Sequence, residues 1–264
     1  MFAERMFTEA IPERVYALCK LLENKSLSSE EARESMEPQF LLKSEEKSKT
    51  LYFQRYLNAA IELELIVNAD GILSLSVDKS VLKSIDTFRC YVIQKLEKFK
   101  NGLFYKVTKK YMDNGLELCM KYKNISNSVS YFSDVLNDKV VEDDMRAWRF
   151  WVSFLGIAYV QNMNVIPNAA DFLWDLIKIC EIQKKKIYSM TEFIDELRPY
   201  CNILIDSNTQ TNNLNIAVSN GLRTLHDQRK IHMQKIDDFQ DVWTMDQLDK
   251  HFINRAVTHV EILK

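Results

Sequence analysis

The sequence predicts a mainly α-helical protein with small β-hairpins, arranged as a similar module at each end of a helical middle region. Three observations lead there. Glycine and proline are scarce, 5 and 4 in 264 residues, which disfavours the loop-rich build of all-β proteins. Apolar residues recur at helical spacing along most of the chain. Near both ends, helical segments are followed by short apolar runs of strand length.

In residues 1–80, Val15, Leu18, Cys19 and Leu22 form one apolar helical stripe. Ser28 or Ser29 is placed to cap a short helix that begins Glu30-Glu31 and stops before Pro38. A polar loop, LLKSEEKSK, precedes a helix from about Thr50 to Leu63, with Phe53, Tyr56, Leu57, Ala60 and Leu63 on its buried side. The segment LELIVNADGILSLSV then sets two apolar runs about Asp70-Gly71, a strong hairpin-turn signal.

Residues 81–167 read as helices. Val92, Leu96 and Phe99 make a stripe, Phe104 to Met120 is basic on one side, and Ala147 to Val160 reads as one continuous buried helix. Residues 168–264 repeat the opening order. Phe172 to Ile182 is helical, and Ser189 or Thr191 caps a short helix ending near Pro199. After the polar loop DSNTQTNN, a third helix carries Leu214, Val218, Leu222 and Leu225. KIHMQKI and VWTM then read as a hairpin with DDFQD at its tip, and AVTHVEIL as a further strand. Helix, helix, helix, hairpin is the order of a winged helix. Residues 1–80 and 168–264 are therefore expected to be tandem winged-helix-like modules, joined by a helical region over 81–167.

The net charge of −2 is unevenly spread. Residues 1–80 hold 10 bases and 14 acids, residues 81–160 hold 13 and 9, and the remainder 12 and 14. Any phosphate-attracting surface is expected in the middle, on Lys95, Lys98, Lys106, Lys109, Lys110, Lys121 and Lys123, with Tyr105, Tyr111 and Tyr122 among them. Lys184-Lys185-Lys186 is a shorter candidate. The third helices, which read DNA in winged-helix regulators, offer one arginine each, Arg55 and Arg223. A solvated or protein-facing surface is the competing reading for all of these.

No nucleotide-binding glycine loop or nucleophile elbow is present, so no enzymatic activity and no cofactor are expected. The histidines His226, His232, His251 and His259 lack zinc-ligand spacing and read as structural. Asp143-Asp144 reads as the acidic start of a helix, and Asp237-Asp238 as a hairpin tip. Five scattered cysteines, an opening segment with charges in every turn, and no apolar run of spanning length predict a cytoplasmic protein that binds no membrane.

The stretch VSNGLRTLHDQRKIHMQKIDDFQDVWTM, with THVEIL after it, resembles the closing segment of accessory proteins of bacterial anti-phage and anti-plasmid defence operons, the DpdG-like proteins among them. LNAAIELELIVNADGILSLS is similar in style to their first winged helix. Tandem winged-helix subunits also accompany SMC-type ATPases, as the small partner of Lamassu complexes does. The resemblance implies a non-catalytic subunit that docks on a larger SMC-like or helicase ATPase, with a nuclease effector encoded nearby, DNA engaged through the complex, and no small-molecule substrate. A stand-alone DNA-binding regulator is the alternative.

Overall fold

The computed structural model describes residues 2–38, 48–205, 211–248, 250–253 and 255–264, and the chain is mainly helical with small antiparallel sheets. The expected polar loops LLKSEEKSK and DSNTQTNN fall mostly outside the described residues. Two compact units emerge, residues 1–106 with 126–154, and 107–125 with 155–264. The segment 81–167 is thus shared between two units and is no region of its own.

The first unit begins with α1 (Pro12–Leu21), whose proline sits in the first turn, where a missing N–H costs nothing. Its expected stripe of Val15, Leu18, Cys19 and Leu22 is buried. Strand β1 (Leu27–Ser28) runs directly into α2 (Ser29–Met36). Ser28 is the N-cap, in a capping box with Glu31, so two otherwise orphaned N–H groups are satisfied. In α3 (Ser48–Glu62), Phe53, Tyr56, Leu57, Ala59 and Ala60 are buried, followed by Leu63.

The chain leaves α3 through Glu64, whose φ of 59° is left-handed. The Leu65 N–H reaches back to the Ala60 carbonyl (2.9 Å), closing a Schellman turn. The hairpin β2 (Ile66–Ala69) and β3 (Ile72–Leu75) follows. Asp70 (φ 50°) and Gly71 (φ 84°) make its two-residue turn, as expected from the sequence. The sheet order is β1-β3-β2, all antiparallel.

α4 (Ile85–Lys95), α7 (Val129–Leu136) and α8 (Glu142–Phe154) complete this unit, together with the start of α5 (Leu103–Asp113). Trp148 and Trp151 of α8 are fully buried. The Trp151 indole N–H donates to the Ala10 carbonyl (2.6 Å), and its ring meets Phe2 edge-on at 4.7 Å. Asp144, 1% exposed at its side chain, accepts the N–H groups of Met6 and Val141 and pairs with Arg5 at 2.8 Å. It fastens the opening segment to the start of α8, a structural role that fits the acidic helix start expected of Asp143-Asp144.

The second unit takes the end of α5 and α6 (Gly115–Lys121). The expected continuous helix over Ala147–Val160 is corrected here. α8 stops at Phe154, and residues 158–161 are β4 (Ala158–Gln161), paired with β5 (Asn164–Pro167). Gly156 (φ 70°) breaks the run, because a Cβ there would lie 2.6 Å from Cβ of Asp171 and 2.8 Å from N of Phe172.

α9 (Ala170–Ile179), β6 (Ile187–Ser189), α10 (Met190–Cys201) and α11 (Ile216–Asp227) then repeat the order of the chain's beginning. Ser189 caps α10 in a capping box with Glu192, the counterpart of Ser28 and Glu31. α10 runs past Pro199, where an end was expected. The proline forfeits one N–H bond, but buried Leu197 and Cys201 hold the last turn in the core.

β7 (Ile231–Gln234), β8 (Trp243–Thr244), β9 (Ala256–Val257) and β10 (His259–Ile262) close the chain. The sheet order is β6-β10-β7, the same first–last–middle order as β1-β3-β2. The expected hairpin of KIHMQKI with VWTM does not form. β7 pairs with β10, and the two residues of β8 pair with β9. β10 takes the central place, and its alternate residues Val260 and Ile262 are fully buried, as are Ile231 and Met233 of β7. Among the described residues no helix is long and apolar enough to cross a membrane.

Candidate docking surface

The two third-helix arginines are both committed to their own unit. Arg55 of α3 pairs with Glu9 at 2.6 Å and lies over the Phe7 ring, 4.4 Å from its centroid. Arg223 of α11 is buried and donates to the main-chain carbonyls of Ile253 (3.1 Å) and Asp246. Burial holds its pKa below the ordinary arginine value, and it raises the neighbouring Asp246 carboxyl. Neither guanidinium is presented as a base-reading group.

The expected basic cluster is divided. Lys95 and Lys98 converge on one carboxylate, Glu64, at 2.5 and 2.6 Å. Those ammonium groups hold the Glu64 carboxyl down at about 2. Both ammonium groups thus sit on the residue that makes the left-handed exit from α3. Lys106 stands 4.0 Å from Asp138, also in the first unit. Lys109 and Lys110 are half-buried on the end of α5, in the second unit. Lys121 lies over the Tyr122 ring at 5.2 Å, and Lys123 is exposed. Lys186 of the triple-lysine run stacks on Tyr188 at 4.2 Å.

Three histidines that are far apart in sequence come together. The rings of His226 and His232 stack at 5.4 Å, and His251 meets His226 at 6.2 Å. His226 Nδ1 accepts the Met233 N–H (3.2 Å), which requires that nitrogen to be unprotonated. Burial, then the His232 imidazole, lower the His226 pKa, with His251 adding to the effect and Asp227 opposing it. His251 Nε2 lies 3.1 Å from Asp227. Among the described residues no three metal-ligating side chains are placed to hold an ion. Asp237-Asp238 belongs to the long connection from β7 to β8, with Asp237 beside Lys235 at 3.1 Å.

What the second unit leaves open is the insertion between β7 and β10, residues 235–258. It exposes Ile236 (45%), Leu248 (45%) and Phe252 (87%), with Phe239 and Val242 partly exposed beside them. A groove of about 950 Å³ lies between the end of β7 and residues 252–256. Nothing in the residue pattern singles out Phe252, Arg255 or Ala256. Their apolar neighbours follow neither helical nor strand periodicity, and the unevenness itself was the signal. Single exposed apolar residues are ordinary, but here several stand on one short insertion beside an open groove.

No protein-family model, curated protein or solved structure matches this chain.

Proposed function

We propose that this chain is a non-catalytic, cytoplasmic accessory subunit of a bacterial defence complex, built on tandem winged helices, which docks on a larger SMC-like or helicase-type ATPase and assists its engagement of DNA. The recurrence of helix–strand–helix–helix–strand–strand at both ends, with the same first–last–middle sheet order, supports the tandem winged-helix assignment. The observation that carries the docking role is the contrast in what each surface leaves unpaired. Both third-helix arginines are engaged inside their own units, while the C-terminal insertion presents apolar side chains to solvent.

A winged helix that reads DNA alone needs unengaged cations on its third helix to displace counterions and meet base edges. Arg55 and Arg223 do not meet that need, which weighs against a stand-alone regulator. The test is co-expression with the proteins encoded beside it. A stoichiometric complex with the neighbouring ATPase, stable through size exclusion and lost in Phe252→Asp, is the expected result. A chain that elutes alone beside every neighbour, and that shifts duplex DNA sequence-selectively through Arg55, would refute the proposal.

A further inference from the structure

We propose that the groove beside β9 takes an extended, carboxylate-bearing segment of a partner protein, which adds as a strand to the main chain of Ala256 and is held by Arg255. This rests on the docking role proposed above for the same surface.

Hydrogen-bond alternation identifies the pairing edge. The Thr244 N–H donates to the Asn212 carbonyl (2.7 Å), and the Thr244 carbonyl accepts the Leu214 N–H (2.8 Å). The Met245 N–H donates to the Arg255 carbonyl (2.7 Å). Thr244 and Ala256 are therefore a non-hydrogen-bonded pair of the β8–β9 ladder. The N–H and C=O of Ala256 turn away from β8, and Ala256 lines the groove. Among the described residues, neither group meets a hydrogen-bond partner. An exposed strand edge of this kind is a template for an added strand.

β7 is the outer strand of the neighbouring sheet, and its outward Met233 N–H is already taken by His226 Nδ1.

Charge selects the occupant. Lys235, Arg255 and His232 line the groove, and among the described residues no carboxylate does. The Arg255 guanidinium has no ion pair among the described residues. Among the described residues Lys235 is held only by the exposed Asp237, a weak pair that a better-placed carboxylate can displace. Phe252 supplies an apolar wall for the side chains that alternate with the carboxylates. A nucleic-acid strand is disfavoured, because residues 235–258 as a whole carry five aspartates against three bases.

The test uses the full chain and fluorescence anisotropy with a labelled, end-blocked peptide of alternating valine and glutamate. Its valine–lysine counterpart, a version with a central proline, and an oligothymidine of similar length are the comparators. The glutamate peptide is expected to bind about tenfold or more tighter than the lysine peptide, with the proline version weakened. Arg255→Glu should invert the charge preference, and Arg255→Lys should keep most of it. Amide exchange at Ala256 should slow on binding. No saturable binding, equal binding of the two charged peptides, a preference unmoved by Arg255→Glu, or tighter binding of oligothymidine would each overturn the proposal. A complex with the neighbouring ATPase that forms while the glutamate peptide shows no preference sinks the strand inference alone. A peptide that binds as expected while no such complex forms sinks the ATPase reading alone.

Discussion

The two ends of the chain share an order of elements and differ in how they close it. In the first unit β2 turns into β3 through two residues, Asp70 and Gly71, both in left-handed geometry that matches the twist of a hairpin. In the second, β7 and β10 are separated by residues 235–258, which include two short strands of their own. The first closure is compact. The second opens a groove, leaves a strand edge at Ala256 and carries apolar side chains into solvent. A scaffold used twice in one chain can thus keep one copy plain and give the other a surface, with the difference confined to one connection.

The third-helix arginines sharpen the same contrast. Arg223 ties α11 to the insertion through two carbonyls, whereas Arg55 is a partly exposed ion pair stacked on Phe7. Arg223→Ala leaves two carbonyls unpaired in a buried place, and should cost about 3 kcal/mol in urea unfolding. Arg55→Ala should cost about 1 kcal/mol, since its pair is open to water on one side. If Arg223→Ala instead left stability unchanged and lowered affinity for DNA, the structural role given to Arg223 would be wrong.

The two capping boxes are a matched control. Ser28→Ala and Ser189→Ala should each cost about 1 kcal/mol, and unequal losses would show that the modules are less alike than their order suggests. Urea midpoints of the two variants, measured side by side, settle this.

The smallest effect is a histidine pH dependence, and all four histidines lie in the second unit. His226 titrates below its ordinary value in the folded chain, so between the two values the unfolded chain binds more protons. The contribution is fully present above the ordinary histidine value and is lost as pH falls through the lower, folded one. The urea midpoint should therefore fall as the pH drops from about 8 to about 5, across the histidine titration window. His226→Asn, whose side-chain oxygen can accept the Met233 N–H without titrating, should flatten that fall. A slope unchanged in the variant would place its origin elsewhere.

Local signals were legible in the sequence where they were chemical. Ser28 with Glu31, Ser189, and Asp70-Gly71 each name a cap or a turn by residue type, and each stands where the residues placed it. Pairing across distance was not legible. VWTM looked like the mate of KIHMQKI because both are short apolar runs, but KIHMQKI pairs instead with a strand further along, which carries buried Val260 and Ile262. The β4–β5 hairpin was hidden inside an apolar run that a helix would also tolerate, and the run is broken where Gly156 takes a left-handed φ of 70°. Charge was read correctly as composition and incompletely as surface. Lys95 and Lys98 are spent on Glu64, a carboxylate more than thirty positions away.

The central claim is that the chain works through the C-terminal insertion, as a docking surface for another protein. Amide hydrogen exchange of the full chain, alone and with the proposed SMC-like or helicase-type ATPase partner, tests that most directly. Strong protection at residues 252–257, with α3 and α11 unchanged, is the predicted result. Protection confined to the exposed faces of α3 and α11, appearing on addition of duplex DNA without any protein, would contradict it.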